Sequence, residues 1–387
     1  MKKSKVFLSM LSIILSAAFM LSVFSSGIFQ NDTVADVKLY NVSGKLTEIK
    51  EDFLNIFNNE NDENNSKRQI TEPLPQVYIG GYPIGLKLYA DGVVIVGTEA
   101  VDTENGLVDT AEKAGLKLGD VIKKINGVQV KSNKQVSEII EKSGGQALTF
   151  DVERNGKSFQ VSFKVEFSQS EQKYKAGIWI RDSSAGIGTV TFCMQDGSFA
   201  SLGHAVCDID TKSTIPISQG ECTNAELTGF IKGQNGSAGE LCGYLDNKKT
   251  GVIFSNDNLG VYGCFDSLPE NKKLYQIAHN SEIKLGEAEI ITTVENGITE
   301  NYSIIIEKID KNSSDNKNLV VRITDRNLIE KTGGIIQGMS GSPIIQNGKI
   351  IGAVTHVFLN DATGGFGIFA ETMLEKLRNE NKQNKAS

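Results

Sequence analysis

Histidine, tryptophan and proline are scarce in this chain, at 3, 1 and 6 among 387 residues. The five cysteines, Cys193, Cys207, Cys222, Cys242 and Cys264, are too few and too scattered for a disulfide scaffold. None forms a C-x-x-C pair and their odd number leaves at least one thiol unpaired, so neither a zinc site nor any other metal or cofactor is expected. Lys and Arg nowhere cluster beyond short surface groups, and the formal charge is −7. A nucleic-acid partner is therefore excluded from the reading. No repeat recurs at solenoid periods. What the chain has instead is glycine, 39 residues of it. With so little proline and tryptophan, that points to tight turns and close backbone approaches, and so to a mainly β architecture.

Only one long hydrophobic run exists. Residues 6–29 carry no charge and follow Lys2, Lys3 and Lys5. The length suits a single N-terminal membrane helix, with the chain after Asp32 on the far side. A cleaved signal peptide is the competing reading for residues 1–29. Residues 30–72 drift into the polar block 58–65, which cannot bury enough apolar surface to fold, and read as a flexible tether. Residues 73–166 form a compact unit of strands, one helix and one hairpin. The helix spans 133–142, capped by Ser132 or Asn133, with Val136, Ile139 and Ile140 on one face and Gly144 as its stop. The hairpin turn Arg154-Asn155-Gly156-Lys157 carries the Asn-Gly pair that type I′ geometry prefers. Residues 174–377 hold recurrent apolar runs separated by Gly, Asn and Asp turns, the pattern of an all-β barrel or sandwich closed by a helix over 372–379. Residues 378–387 read as a disordered tail.

The sharpest chemical signal is Gly338-Met339-Ser340-Gly341-Ser342-Pro343. Small neighbours let a carbonyl approach the Ser340 hydroxyl, and the turn aims the N–H groups of Gly338 and Ser340 at a developing oxyanion. A nucleophilic serine needs a base, and three histidines make the search short. His204, in Gly203-His204-Ala205, has small neighbours that leave its ring accessible to a partner. His279 has polar neighbours and reads as a surface histidine. His356, on the strand after the serine, reads with Thr355 as a substrate-facing wall and is the rival base. The third member should be a carboxylate that accepts Nδ1–H. Asp325, Asp208, Asp210 and Asp246 all qualify, and each has a bland alternative as a helix cap or turn residue.

Ser340 within this hexapeptide resembles the GDSGGP of trypsin-like serine peptidases, in the same order of histidine before serine. The longer set Ser201-Leu202-Gly203-His204, residues 181–189 and residues 332–348 more closely resembles the stage IV sporulation protein B (SpoIVB) peptidase family, over nearly the full chain. Residues 111–127, with Gly115, Gly119-Asp120 and Asn126-Gly127, are similar to bacterial PDZ domains. The implied fold is a PDZ domain, α+β with a small partly open barrel, followed by a trypsin-like double β-barrel. The family resemblance maps the triad acid onto Asp325, completing His204 and Ser340. The PDZ resemblance makes Pro83, Ile84, Gly85 and Leu86 a carboxylate-binding loop, with a peptide ligand adding beside helix 133–142.

The implied activity is that of a serine endopeptidase in intercompartmental signalling during endospore formation. It would be secreted across the forespore membrane into the intermembrane space, anchored at first by its N-terminal helix. It would cleave itself, then the extracytoplasmic part of a membrane-bound regulator, so that an intramembrane protease activates a mother-cell sigma factor. Its partners would be those protein substrates, a PDZ ligand peptide and the membrane. The rivals are an HtrA-like quality-control peptidase, in which the peptidase precedes the PDZ domain, and a non-catalytic PDZ scaffold, which the intact serine, histidine and turn glycines oppose.

Overall fold

The computed structural model describes residues 72–234, 236–270, 273–295 and 297–386. The expected membrane segment 1–29 and nearly all of the expected tether 30–72 lie outside the described residues. Among the described residues no helix is long and apolar enough to cross a membrane.

Two closed six-stranded β-barrels account for most of the described strands. The second is built from Gly286–Thr293, Thr299–Ile309, Leu319–Ile323, Asp361–Phe369, Lys349–Phe358 and Pro343–Gln346, the last pairing back onto the first. Period-two patterning drives it: in Thr299–Ile309, Tyr302, Ile304 and Ile306 point inward at 4% exposure or less, while Ser303, Ile305 and Glu307 alternate outward. The first barrel takes part of Ile178–Cys193, then Ser198–Ser201, Gly260–Phe265, and the paired portions of Glu240–Asp257 and Ile217–Ile231.

The sixth strand of the first barrel comes from before the PDZ unit. Pro83–Thr98 is one 16-residue strand. Its first half pairs with Ile178–Cys193 on one side, Gly85 opposite Ile187, and with Ile217–Ile231 on the other, Gly85 opposite Thr223. Ile84, Leu86 and Leu88 are 2%, 3% and 0% exposed. This corrects the expected carboxylate-binding loop: Pro83, Ile84, Gly85 and Leu86 form an interior barrel strand paired on both edges, with no amides free for a chain terminus. Gly85 has no room for a side chain, since a Cβ there would lie 2.4 Å from the Thr223 hydroxyl.

The PDZ unit is therefore nested between the first and second strands of the barrel rather than placed ahead of it. Its core gathers Val93, Ile95, Ile122, Ile125, Val136, Ile140, Phe150 and Val152, and reaches Val165 and Ala176. Helix α1, Thr110–Lys113, is short; helix α2, Asn133–Lys142, is capped by the Ser132 hydroxyl accepting from the Gln135 amide, as the sequence indicates. Asn155 and Gly156 have φ of 50° and 72° between paired strands, the expected type I′ signature. Asp120, fully buried, pairs with the Arg154 guanidinium at 2.6 Å and accepts from the Lys117 amide. Helix α3 is Arg326–Thr332. Helix α4 runs over Ala370–Ala386, so the expected disordered tail is helical within the described residues. Met373, Leu374 and Leu377, all fully buried, anchor it, and Lys376 ties it to Asp257 and Glu380 at 2.6 Å each.

Candidate active site

The turn carrying Ser340 joins α3 to the strand Pro343–Gln346. Two glycines let it bend so sharply: Gly338 and Gly341 have φ of 95° and 98°, and a Cβ on Gly341 would lie 2.0 Å from the Thr189 carbonyl oxygen. The strand Ile178–Cys193 fastens the turn. The Thr189 hydroxyl donates to the Gly338 carbonyl at 2.7 Å, the Thr189 amide to the Ser340 carbonyl at 3.1 Å, and the Thr191 hydroxyl to the Gly341 carbonyl at 2.8 Å. Both threonines are buried. Sequence reasoning did not single them out, although Thr189-Val190-Thr191 in an apolar strand puts two hydroxyls on one face, a signal that they must find acceptors.

With its carbonyls spoken for, the turn leaves the amides of Gly338 and Ser340 without an acceptor among the described residues. Both residues line a cavity of about 710 Å³ that also takes in His204, Thr355 and His356. Free donors beside a serine hydroxyl are what stabilisation of a tetrahedral oxyanion requires. The Ser340 hydroxyl itself donates to the Thr355 carbonyl at 2.6 Å. Thr355 is 3% exposed and its own hydroxyl has no partner among the described residues.

His204 follows two residues with positive φ, Leu202 at 63° and Gly203 at 71°, which swing the imidazole into the cavity. A side chain at Gly203 would collide with Thr355 and Ile368. Nδ1 of His204 lies 2.8 Å from its neighbour's carbonyl, that of Ala205. With Nδ1 protonated toward that oxygen, Nε2 keeps the lone pair a general base needs. Burial lowers the His204 pKa, partly opposed by the Ala205 carbonyl. His356 stands with its ring centroid 4.8 Å from that of His204. Burial, and then His204, push His356 down to about 4, so both rings are neutral near pH 7. Ser340 and His204 share the cavity, but no hydrogen bond joins them in this state, a looseness common in sites without substrate.

The carboxylates fall elsewhere. Asp325 caps α3, its Oδ1 accepting from the Leu328 amide at 3.1 Å. Asp208, buried, takes the Arg181 guanidinium and the amides of Asp210 and Thr211. Asp210 shares that arginine at 2.7 Å. Asp246 lies within the strand Glu240–Asp257 and accepts from the Lys248 amide at 3.1 Å where that strand's register shifts. None of the four makes a hydrogen bond to His204 among the described residues. His279 lies outside the cavity and links Glu371, at 2.8 Å, to the Glu72 carbonyl at 3.0 Å, a pairing that raises its pKa.

Residues 172–374 match the family model of SpoIVB peptidase S55, and residues 110–154 that of a PDZ domain. The first match covers more than half of the chain. The chain belongs to the SpoIVB peptidase S55 family. It is a serine peptidase carrying a PDZ domain. A stretch of 79 residues is 39% identical to the zinc metalloprotease RasP of Shouchella clausii (strain KSM-K16), spanning 20% of this peptidase and only 18% of that relative. Among solved structures, the HtrA-type protease AlgW with decapeptide is 12% identical over 52% of this chain and 55% of that one, with a TM-score of 0.32. The active form of the Rv3671c protease from M. tuberculosis is 16% identical over 50% and 74%, with a TM-score of 0.31. At such scores these two likenesses bear on neither the site nor the substrate of the peptidase.

Proposed function

We propose that the peptidase is an endopeptidase of intercompartmental signalling in endospore formation. It cleaves its own chain, then the extracytoplasmic part of a membrane-bound regulator, so that an intramembrane protease can activate a mother-cell sigma factor. It is secreted across the forespore membrane, held at first by its N-terminal segment, and its PDZ unit receives a peptide. The family supports this setting, and one observation carries the chemistry: two uncommitted amides, of Gly338 and Ser340, beside the Ser340 hydroxyl in a cavity that also holds His204.

In the proposed reaction a substrate carbonyl settles on those amides and Ser340 turns from Thr355 toward Nε2 of His204. His204 takes the hydroxyl proton as Oγ attacks, then passes it to the leaving amine; water repeats the sequence on the acyl-enzyme. The Ala205 carbonyl orients the ring, Thr355 and His356 wall the substrate, and Asp325 acts through the cap of α3, which leads into the nucleophile turn. N-terminal sequencing of forms made by purified full-length protein tests the reading. Active protein is expected to yield new termini within residues 30–72, and Ser340→Ala to remain unprocessed. Equal processing of both would overturn it.

A further inference from the structure

A strap from the first barrel closes one end of the catalytic cavity, which is lined from both barrels. Gly236 donates its amide to the Leu359 carbonyl at 2.8 Å, Gln337 donates to the Gly239 carbonyl at 2.7 Å, and the Leu241 amide donates back to the Gln337 carbonyl at 2.8 Å. The strap is thereby fastened to both walls that flank the nucleophile turn: the segment just before it, ending at Gln337, and the segment after His356, ending at Leu359. Leu241 packs so closely on Gly338 that a Cβ there would lie 2.9 Å from the leucine methyl carbon. Between the two fastenings stands Ala238, half-buried, its residue lining the cavity with Ile335, Val357 and Leu359.

The position of that end fixes what it receives. A scissile carbonyl whose oxygen rests on the Gly338 and Ser340 amides has its own α-carbon one bond away, so the acyl residue's side chain falls among the residues flanking the turn. Ile335, Val357, Leu359 and Ala238 offer it no charge and no hydroxyl. Among the described residues no carboxylate lines the cavity, and its one charged side chain is Lys212, on the loop after His204. A buried ammonium or carboxylate at this end would lack a counter-charge and lose its hydration.

We infer, building on the nucleophile reading above, that the peptidase cleaves after small to medium apolar residues, and that Ala238 is the specificity-determining residue that limits their size. Because the strap is held at both ends, a larger side chain at 238 cannot be relieved by the strap moving away. Shortening Leu359, which lines the same end beside the strap and is 63% exposed, does the reverse.

The test is a series of fluorogenic peptides, identical except for Ala, Val, Leu, Phe, Lys or Glu before the scissile bond, turned over by the purified full-length protein. The parent is expected to turn over the apolar members about 100-fold better in kcat/KM than Lys or Glu. Ala238→Leu is expected to shift the Ala-to-Leu ratio by about tenfold toward Ala, and Leu359→Ala to shift the Ala-to-Phe ratio toward Phe, the scale of one to a few methylenes in an apolar pocket. A best rate with Lys or Glu in the parent would overturn the apolar claim. Variants that scale every peptide equally would overturn the role of Ala238. A fluorophosphonate, which needs no such side chain, labels Ser340 in the same samples; absence of that label would instead refute the nucleophile reading on which the inference rests.

Discussion

A chain that starts at residue 172, where the match to the peptidase family begins, should not fold, because it lacks a strand of its own first barrel. Residues 84–89 pair on both edges, so removing them leaves two unpaired strand edges and opens the barrel. Ile84, Leu86 and Leu88 are almost wholly buried, and at about 1.5–3 kcal/mol each their loss costs roughly 5–9 kcal/mol. That is comparable to the whole stability of a domain, about 5–15 kcal/mol, before any ladder hydrogen bond is counted. The assay is thermal unfolding by near-ultraviolet circular dichroism. The fragment 172–387 is expected to show no cooperative transition. A second chain, with residues 91–182 replaced by a short Asn-Gly turn, joins strands whose Tyr89 and Ser183 already face each other. It should fold and react with a fluorophosphonate although it has no PDZ unit. A cooperative transition in the first chain, or none in the second, would refute the nested arrangement.

Further outcomes follow from single side chains. Thr189→Val removes the hydroxyl that holds the Gly338 carbonyl, at about 1–3 kcal/mol for a partner left unpaired; kcat/KM should fall tenfold or more while Thr189→Ser stays near the parent. Asp325→Asn keeps an acceptor for the Leu328 amide and should hold its melting temperature, whereas Asp325→Ala should lose about 1 kcal/mol with the cap; loss of turnover in the folded Asn variant would mean that the carboxylate, not the cap, matters. Burial depresses the pKa of His204 and takes His356 down to about 4. His204 therefore stays neutral below its ordinary 6.5, and if it is the base, the acid limb of Ser340 acylation should lie under that pH. In the same window the unfolded chain binds protons that these folded imidazoles refuse, so stability should fall as pH drops from 6.5 toward 4; a melting temperature flat across that range would contradict it.

The tight turn at Ser340 and the turn that presents His204 to the cavity were legible because each rests on a short local motif whose glycines dictate backbone shape. Helix α2 and the Asn155-Gly156 hairpin were legible for the same reason. Pro83, Ile84, Gly85 and Leu86 were misread because loop and barrel strand share a composition here. Asp91-Gly92, between two apolar runs, looks like a hairpin turn, yet Gly92, at φ 119°, is absorbed into one continuous strand whose long partner Ile178–Cys193 lies some 100 residues away in sequence. The partner of His204 was illegible in principle: acceptor choice depends on tertiary distance, and the Ala205 carbonyl carries no sequence signal at all. The strap over the cavity carries no sequence signal, since only the hydrogen bonds of Gly236 to Leu359 and of Gln337 to Gly239 give it a place.

The most direct measurement is the second-order rate of Ser340 acylation by diisopropyl fluorophosphate, with the modified residue mapped by mass spectrometry, in the parent, His204→Ala and His356→Ala proteins. The account predicts modification at Ser340, a rate lowered by about two to four orders of magnitude without His204, and a much smaller change without His356. Modification at another residue, or a rate that survives loss of His204 and collapses with His356, would contradict it.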